Sequence, residues 1–179
     1  MQKIIVFRYD KIGDLIISTP LLRCIKNTYP NSRITLVASP YNAPVLENHN
    51  SVDEIIIFDK KWNFLRKIFF YIKIIRLKVD ISIVLYPAVT AFFMSFISFA
   101  KIRAGVKMIY NYDNFFGIKL NKFKFTKQRP AKIFSPILLT HSVSIDRGRT
   151  HRHFTDSYLD LAKKIGLQVS KNLSLELPN

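Results

Sequence analysis

Lys3-Ile-Ile-Val-Phe-Arg8-Tyr-Asp10-Lys11-Ile-Gly13-Asp14-Leu15 carries a short β-branched strand into a tight turn, and the turn ends in Gly-Asp where an apolar-periodic segment begins. β-branched and aromatic residues fit a pleated surface, and the 3.6-residue spacing that follows is helical. Strand, turn and helix in that order open a parallel α/β sheet, whose sites lie beyond the carboxyl ends of the strands. The stretch therefore sets two carboxylates, Asp10 and Asp14, at the edge of a first strand. Two readings of Asp14 are open. Asp is a preferred helix cap. A carboxylate at a helix start, where negative charge is favoured, also orients and deprotonates a hydroxyl. Asp10 is the rival carboxylate, and if the two lie close together one of them has a raised pKa. Gly13 is expected to take backbone angles closed to other residues and to let a ligand approach the main chain. Arg8 and Lys11 are either solvated charges or contacts for anionic groups on a substrate.

Strand and helix patterns alternate along the rest of the chain, as a parallel sheet requires. Leu15, Leu22 and Ile25 share one face of the first helix, which Pro20 either kinks or restarts with Thr19 as cap. Strands are expected over 33–38 and 54–58, with Pro40, Pro44 and a short helix over 43–48 between them. Residues 62–79 read as a helix with a core stripe of Leu65, Ile68, Ile72, Ile75 and Val79. Off that stripe, Phe69, Phe70, Tyr71 and Ile74 stand among Arg66, Lys67, Lys73, Arg76 and Lys78. A wet helix face rarely carries so many apolar residues. Their mixture with basic residues suits an anionic membrane interface, or burial against a second helix or a domain partner. Residues 81–100 hold no charge over 20 positions, enough to cross a bilayer. The preferred reading is a buried fourth strand over 80–86, broken by Pro87 from a helix over 89–100. A fifth strand over 101–106 is expected to end at Gly105, followed by a basic loop over 111–129 and a strand or helix over 133–139. Phe154 to Ile165 is an amphipathic helix with Tyr158, Leu161, Ala162 and Ile165 inward and Gly166 as its cap.

The chain carries 28 Lys and Arg against 12 Asp and Glu, a net charge of +16, and such a surface attracts anionic partners. The excess is uneven: residues 60–79 hold seven basic residues and no acid, and residues 101–132 hold nine with Asp113 as the one acid. A composition rich in Ile, Lys, Asn and Phe also fits an AT-rich genome. Cys24 stands alone, which excludes an internal disulfide and fits a reducing compartment and a small buried side chain. Arg8 and Asp10 interrupt the first apolar run too early for a signal peptide. His151 and His153 have no carboxylate or thiol beside them at ligand spacing, so no metal is expected. Neither phosphate-loop signature occurs and no nucleic-acid motif is visible, so no cofactor and no nucleic acid are expected.

The run from Arg8 to Arg23, with Gly13-Asp14 followed by Thr19-Pro20-Leu21-Leu22, resembles the opening of glycosyltransferase family 9, the lipopolysaccharide-core heptosyltransferases and their relatives. The likeness continues through 29–42 and 52–59, and more loosely through 151–166. It implies an α/β fold, a Rossmann-like parallel sheet flanked by helices, forming the N-terminal half of a GT-B enzyme. Residues 1–170 would be the acceptor-side domain. Residues 171–179, with a strand pattern over 173–177, would open the link to a donor domain. The implied reaction is inverting transfer of a heptose-like sugar from a nucleotide sugar to a lipopolysaccharide-core or lipid acceptor. Asp14 matches the presumed catalytic base, with Arg8, Asp10, Lys11 and Gly13 on the substrate side. The implied partners are a nucleotide-sugar donor, met mainly by the second domain, an anionic glycolipid acceptor, and an anionic membrane touched peripherally. The implied place is the cytoplasm or the cytoplasmic face of the inner membrane. A length of 179 residues suits one of the family's two domains, so the isolated chain is expected to transfer sugar weakly or not at all. The alternative is a noncatalytic, membrane-associated remnant or binding module with the same fold.

Overall fold

The computed structural model describes residues 1–109, 136–146 and 153–169. Six strands run parallel: β1 (Lys3–Phe7), β2 (Arg33–Ala38), β3 (Glu54–Ile57), β4 (Ile81–Val84), β5 (Ile102–Ile109) and β6 (His141–Asp146). Their order is β3-β2-β1-β4-β5-β6. The chain builds outward from β1 to β3, then crosses back past β1 to β4. That reversal falls between the carboxyl ends of β1 and β4, the place where such sheets bind ligands.

β1 shows why its sequence is apolar throughout. Ile4 and Val6 point into one core and Ile5 and Phe7 into the other, because side chains alternate along a strand. On the first face lie α1 (Ile12–Ile16), α2 (Thr19–Thr28) and α5 (Phe154–Lys164), which contribute Leu15, Leu22, Ile25, Tyr158 and Leu161. On the second lie α3 (Phe64–Arg76) and α4 (Val89–Ile97), which contribute Phe70, Ile74, Phe92 and Met94. Full burial of one such side chain stabilises by about 1.5–3 kcal/mol, so both helical layers hold the sheet.

Several expectations hold and others do not. The strand over 33–38 is met residue for residue, and the segment 43–48 forms a 3₁₀ turn at Ala43–Leu46. Pro20 starts a second helix, but its cap position is Ser18, not Thr19. The uncharged stretch 81–100 divides into β4 and α4, and no described helix is long and apolar enough to cross a membrane. Gly166, at φ +79°, closes α5 as expected.

The stripe expected over 62–79 is met at Val79, which is buried, but not along the helix itself. Phe70 and Ile74 are buried, whereas Leu65, Ile72 and Ile75 are exposed. The helix is apolar on two sides, and spacing alone does not tell which side meets the sheet. Gly105 lies inside β5 and does not end it. A Cβ there would stand 2.7 Å from Leu139 Cδ1, so the missing side chain makes room for Leu139. β6 was not expected, and the basic loop over 111–129 lies outside the described residues.

Candidate functional site

The turn after β1 begins as a continuation of the ladder. The Arg8 N–H donates to the Val37 carbonyl at 3.0 Å, and the Leu85 N–H donates to the Phe7 carbonyl at 3.1 Å. Arg8 thus leaves the sheet at the reversal between β1 and β4. Its side chain is 3% exposed and turns toward the loop. Nη1 donates to the Leu85 carbonyl and Nε to the Asp14 carbonyl at 3.1 Å. The same guanidinium stands 3.2 Å from Asp10 Oδ1 and 3.3 Å from Asp14 Oδ1, with the Tyr158 ring centroid 5.5 Å away. One buried cation therefore gathers both carboxylates.

Asp14 sits in the first turn of α1, whose cap position is Lys11, with no capping hydrogen bond from a side chain. Its carboxylate is 27% exposed and faces Arg8. Asp14 is therefore not the cap residue, and it stands as a partly exposed carboxylate at the carboxyl edge of the sheet. Lys11 and Gly13 are exposed beside it. Gly13 is helical and has no positive φ, so the expectation of unusual backbone angles is not met. A Cβ added there would meet nothing within 4 Å, and what the glycine keeps open is the space before the main chain.

Asp10 is more enclosed, at 13% side-chain exposure. Burial lifts its carboxyl from 3.8 to about 6, against the pull of Arg8, and the neighbouring Asp14 adds to the rise. A carboxyl raised in the folded state favours folding most while protonated. That contribution is full below pH 4 and is lost as the pH climbs through about 6. Asp10→Asn is neutral at every pH and is expected to flatten the fall in stability between pH 4 and 7, a fall of up to about 3 kcal/mol. Thermal melts of both proteins across that range measure it, and parallel curves would assign the pH dependence elsewhere.

Two residues that the sequence reading did not place in the site hold it in shape. Asn42 is fully buried: its Nδ2 donates to the Arg8 carbonyl at 3.0 Å, and its Oδ1 accepts from the Ser39 N–H at 2.7 Å and the Ser39 hydroxyl at 2.9 Å. It clamps the loop after β2 to the turn after β1. Tyr158 reaches from α5 beneath Arg8, and burial pushes its hydroxyl up to about 12, which keeps it neutral beside the ions. On the other face of the sheet, where Tyr9 and Tyr86 pack, Tyr9 bonds Thr90 Oγ1 at 2.8 Å, and Lys60 donates to the Tyr86 hydroxyl at 3.2 Å. Among the described residues, no group of three His, Cys, Asp or Glu side chains is placed to hold a metal ion. A separate open groove of about 640 Å³, lined in part by Pro40, Pro44, Leu46, Glu47 and Asp53, contains none of the residues gathered by Arg8.

No family model matches the chain. Among curated proteins, a putative glycosyltransferase of Haemophilus influenzae is 34% identical over 61 residues, covering 34% of this chain and 18% of that protein. Among solved structures, a family 9 glycosyl transferase from Veillonella parvula aligns with 98% of this chain and 44% of its own, at a TM-score of 0.71 and 23% identity. The E. coli heptosyltransferase WaaC with ADP aligns with 96% of this chain and 49% of its own, at a TM-score of 0.65 and 12% identity. WaaC has also been solved with ADP-2-deoxy-2-fluoro heptose. At these identities the likeness to the solved proteins is one of fold. The chain spans about half the length of these structures. The resemblance to family 9 and the expected Rossmann-like fold both hold: the six-stranded parallel sheet aligns with half of a family 9 glycosyltransferase.

Proposed function

We propose that this chain is the acceptor-side half of a family 9-like glycosyltransferase, with Asp14 as the base. The observation that carries the reading is the pair of carboxylates held on Arg8 at the sheet reversal, one of them half open. In this reading an acceptor hydroxyl lies over the Gly13 turn. Its oxygen attacks the anomeric carbon of a nucleotide sugar from the face opposite the leaving group. The new O–C bond forms as the bond to the diphosphate breaks, and the configuration inverts. The hydroxyl proton passes to the Asp14 carboxylate, and the nucleoside diphosphate departs with the electron pair.

Each neighbour of Asp14 has a part. Arg8 is buried and fully engaged, so it acts as a positioning residue. Lys11 is exposed at the rim and meets anionic groups of the acceptor. Asp10, the more enclosed carboxylate, stands on the same guanidinium. The donor class is a nucleoside-diphosphate sugar, supported by the ADP and fluorinated ADP-heptose in the structural neighbour. The acceptor class is a phosphorylated core saccharide on a lipid. Donor contacts fall mainly to a second domain, as the partial coverage of the neighbours suggests.

The test uses the chain as it stands. A lipid-free, phosphorylated inner-core oligosaccharide is titrated while backbone amide shifts are followed. Saturable shifts centred on residues 10–14 and 42 are expected. Shifts confined to other edges of the sheet, or no binding at millimolar saccharide, would remove the acceptor assignment.

A further inference from the structure

α3 has two apolar faces and uses one of them to pack. Phe70 lies against Phe58 and Trp62, and Ile74 joins the same core. The opposite arc carries Phe64, Leu65, Phe69, Ile72 and Ile75, between 38 and 76% exposed. At 100° per residue these five share one side of the helix. Beside them, α4 and the turn after it leave Phe93, Phe96 and Phe99 between 41 and 73% exposed. Tyr71 and Phe93, with ring centroids 5.6 Å apart, join the two helices into one surface. Apolar side chains scattered singly are ordinary, but a continuous face of this kind marks an interaction site.

Charge decides the kind of partner. α3 has no acidic residue and carries Arg66, Lys67, Lys73 and Arg76, with Lys78 and Lys101 following. α4 has no charged residue. Among the described residues, Glu54 on β3 is the carboxylate paired with this strip, 3.8 Å from Lys73 Nζ and 3.1 Å from Arg33. We infer that the α3–α4 face docks on an anionic lipid bilayer. The aromatic and branched side chains enter the headgroup boundary, and Arg66, Lys73 and Arg76, along the edge of the arc, meet lipid phosphates. Aromatic and aliphatic residues beside Lys and Arg are the composition of interfacial helices, and long basic side chains reach back to the headgroups. A second copy of this chain would bring like charge against like charge.

The face is placed to matter. α3 follows β3 and α4 follows β4, so both helices start at the sheet edge that holds Arg8, Asp10 and Asp14. The Tyr9–Thr90 hydrogen bond ties the first turn of α4 to the site turn. Docking through this face sets the carboxylate edge beside the membrane. The inference stands apart from the transferase reading, because vesicle binding needs no transfer.

Co-sedimentation of the chain with vesicles tests it, using phosphatidylcholine alone or mixed with phosphatidylglycerol. Binding to the mixed vesicles is expected, and added salt should weaken it. Phe64→Ser/Phe69→Ser keeps the charge and is expected to weaken binding by about tenfold or more. Arg66→Glu/Arg76→Glu is expected to weaken it by about tenfold or more, and Lys163→Glu, on the opposite layer, by less than about threefold. All these residues are exposed, and far-ultraviolet circular dichroism confirms that each variant folds. No binding to the mixed vesicles, or binding that survives both double variants, overturns the inference. So does a concentration-dependent dimer that Phe64→Ser/Phe69→Ser abolishes, which would give the face to a second copy.

Discussion

Asp14→Asn is expected to lower sugar transfer by about 10²–10⁴-fold while leaving the fold in place. The readout is nucleoside diphosphate release from whichever assembly carries transfer, the chain itself or the chain joined to a donor-binding half. Asn keeps the size of the side chain and still accepts a hydrogen bond, but it does not take up a proton. The structural cost is small for a stated reason. Arg8 keeps Asp10, the Leu85 carbonyl and the Asp14 main-chain carbonyl as partners, and the Asp14 side chain is already 27% exposed. A thermal melt close to that of the parent therefore accompanies the loss. Asp10→Asn separates the two carboxylates. Asp10 is more enclosed and raised to about 6, so it is protonated below that pH and does not serve as a base there. If Asp10→Asn removes transfer and Asp14→Asn leaves it within tenfold, the base is Asp10 and the proposed roles exchange.

Much of this site was legible because its parts are local. A β-branched strand, a turn and a Gly-Asp at a helix start lie within 13 residues, and they fixed both the first strand and the edge where the carboxylates stand. What was not legible depends on segments far apart in sequence. Arg8 reads as a charge at a strand end. Its burial is made by Leu85 and Tyr158, 77 and 150 positions away, and no local pattern announces either. Asn42 lay inside the stretch that resembles family 9. Its part depends on a carbonyl 34 residues earlier that only the folded sheet brings near. α3 failed for a different reason: a helix apolar on two sides satisfies the spacing rule twice, and tertiary packing chooses. β6 was missed although Val143 and Ile145 alternate with polar neighbours, because an edge strand needs few apolar residues to be stable.

Arg8→Met is expected to destabilise the chain by about 3–5 kcal/mol at pH 7.5, read as a lower midpoint in urea with the slope unchanged. Met matches the length of the aliphatic stem but strands what the guanidinium served. Asp10 and Asp14 lose their common cation, and the Leu85 carbonyl loses its donor. Removing one partner of a buried ion group costs more than the group contributes intact, because the remaining charge stays out of water. The pH dependence identifies the cause. Without the guanidinium that holds it down, Asp10 titrates above the value of about 6 it has beside Arg8, so as the pH falls from 7.5 one of the two stranded charges disappears and the penalty should shrink. Arg8→Met/Asp10→Asn should then recover part of the loss at pH 7.5, with a coupling energy on the order of 1–3 kcal/mol between the two sites. Arg8→Lys is expected to rescue poorly. A single ammonium lacks the planar fork that reaches two carboxylates and two carbonyls together. A cost for Arg8→Met that is small and the same at every pH would mean that the carboxylates are solvated without it. Arg8 would then be packing for Tyr158, and the two acids would be held by the turn alone.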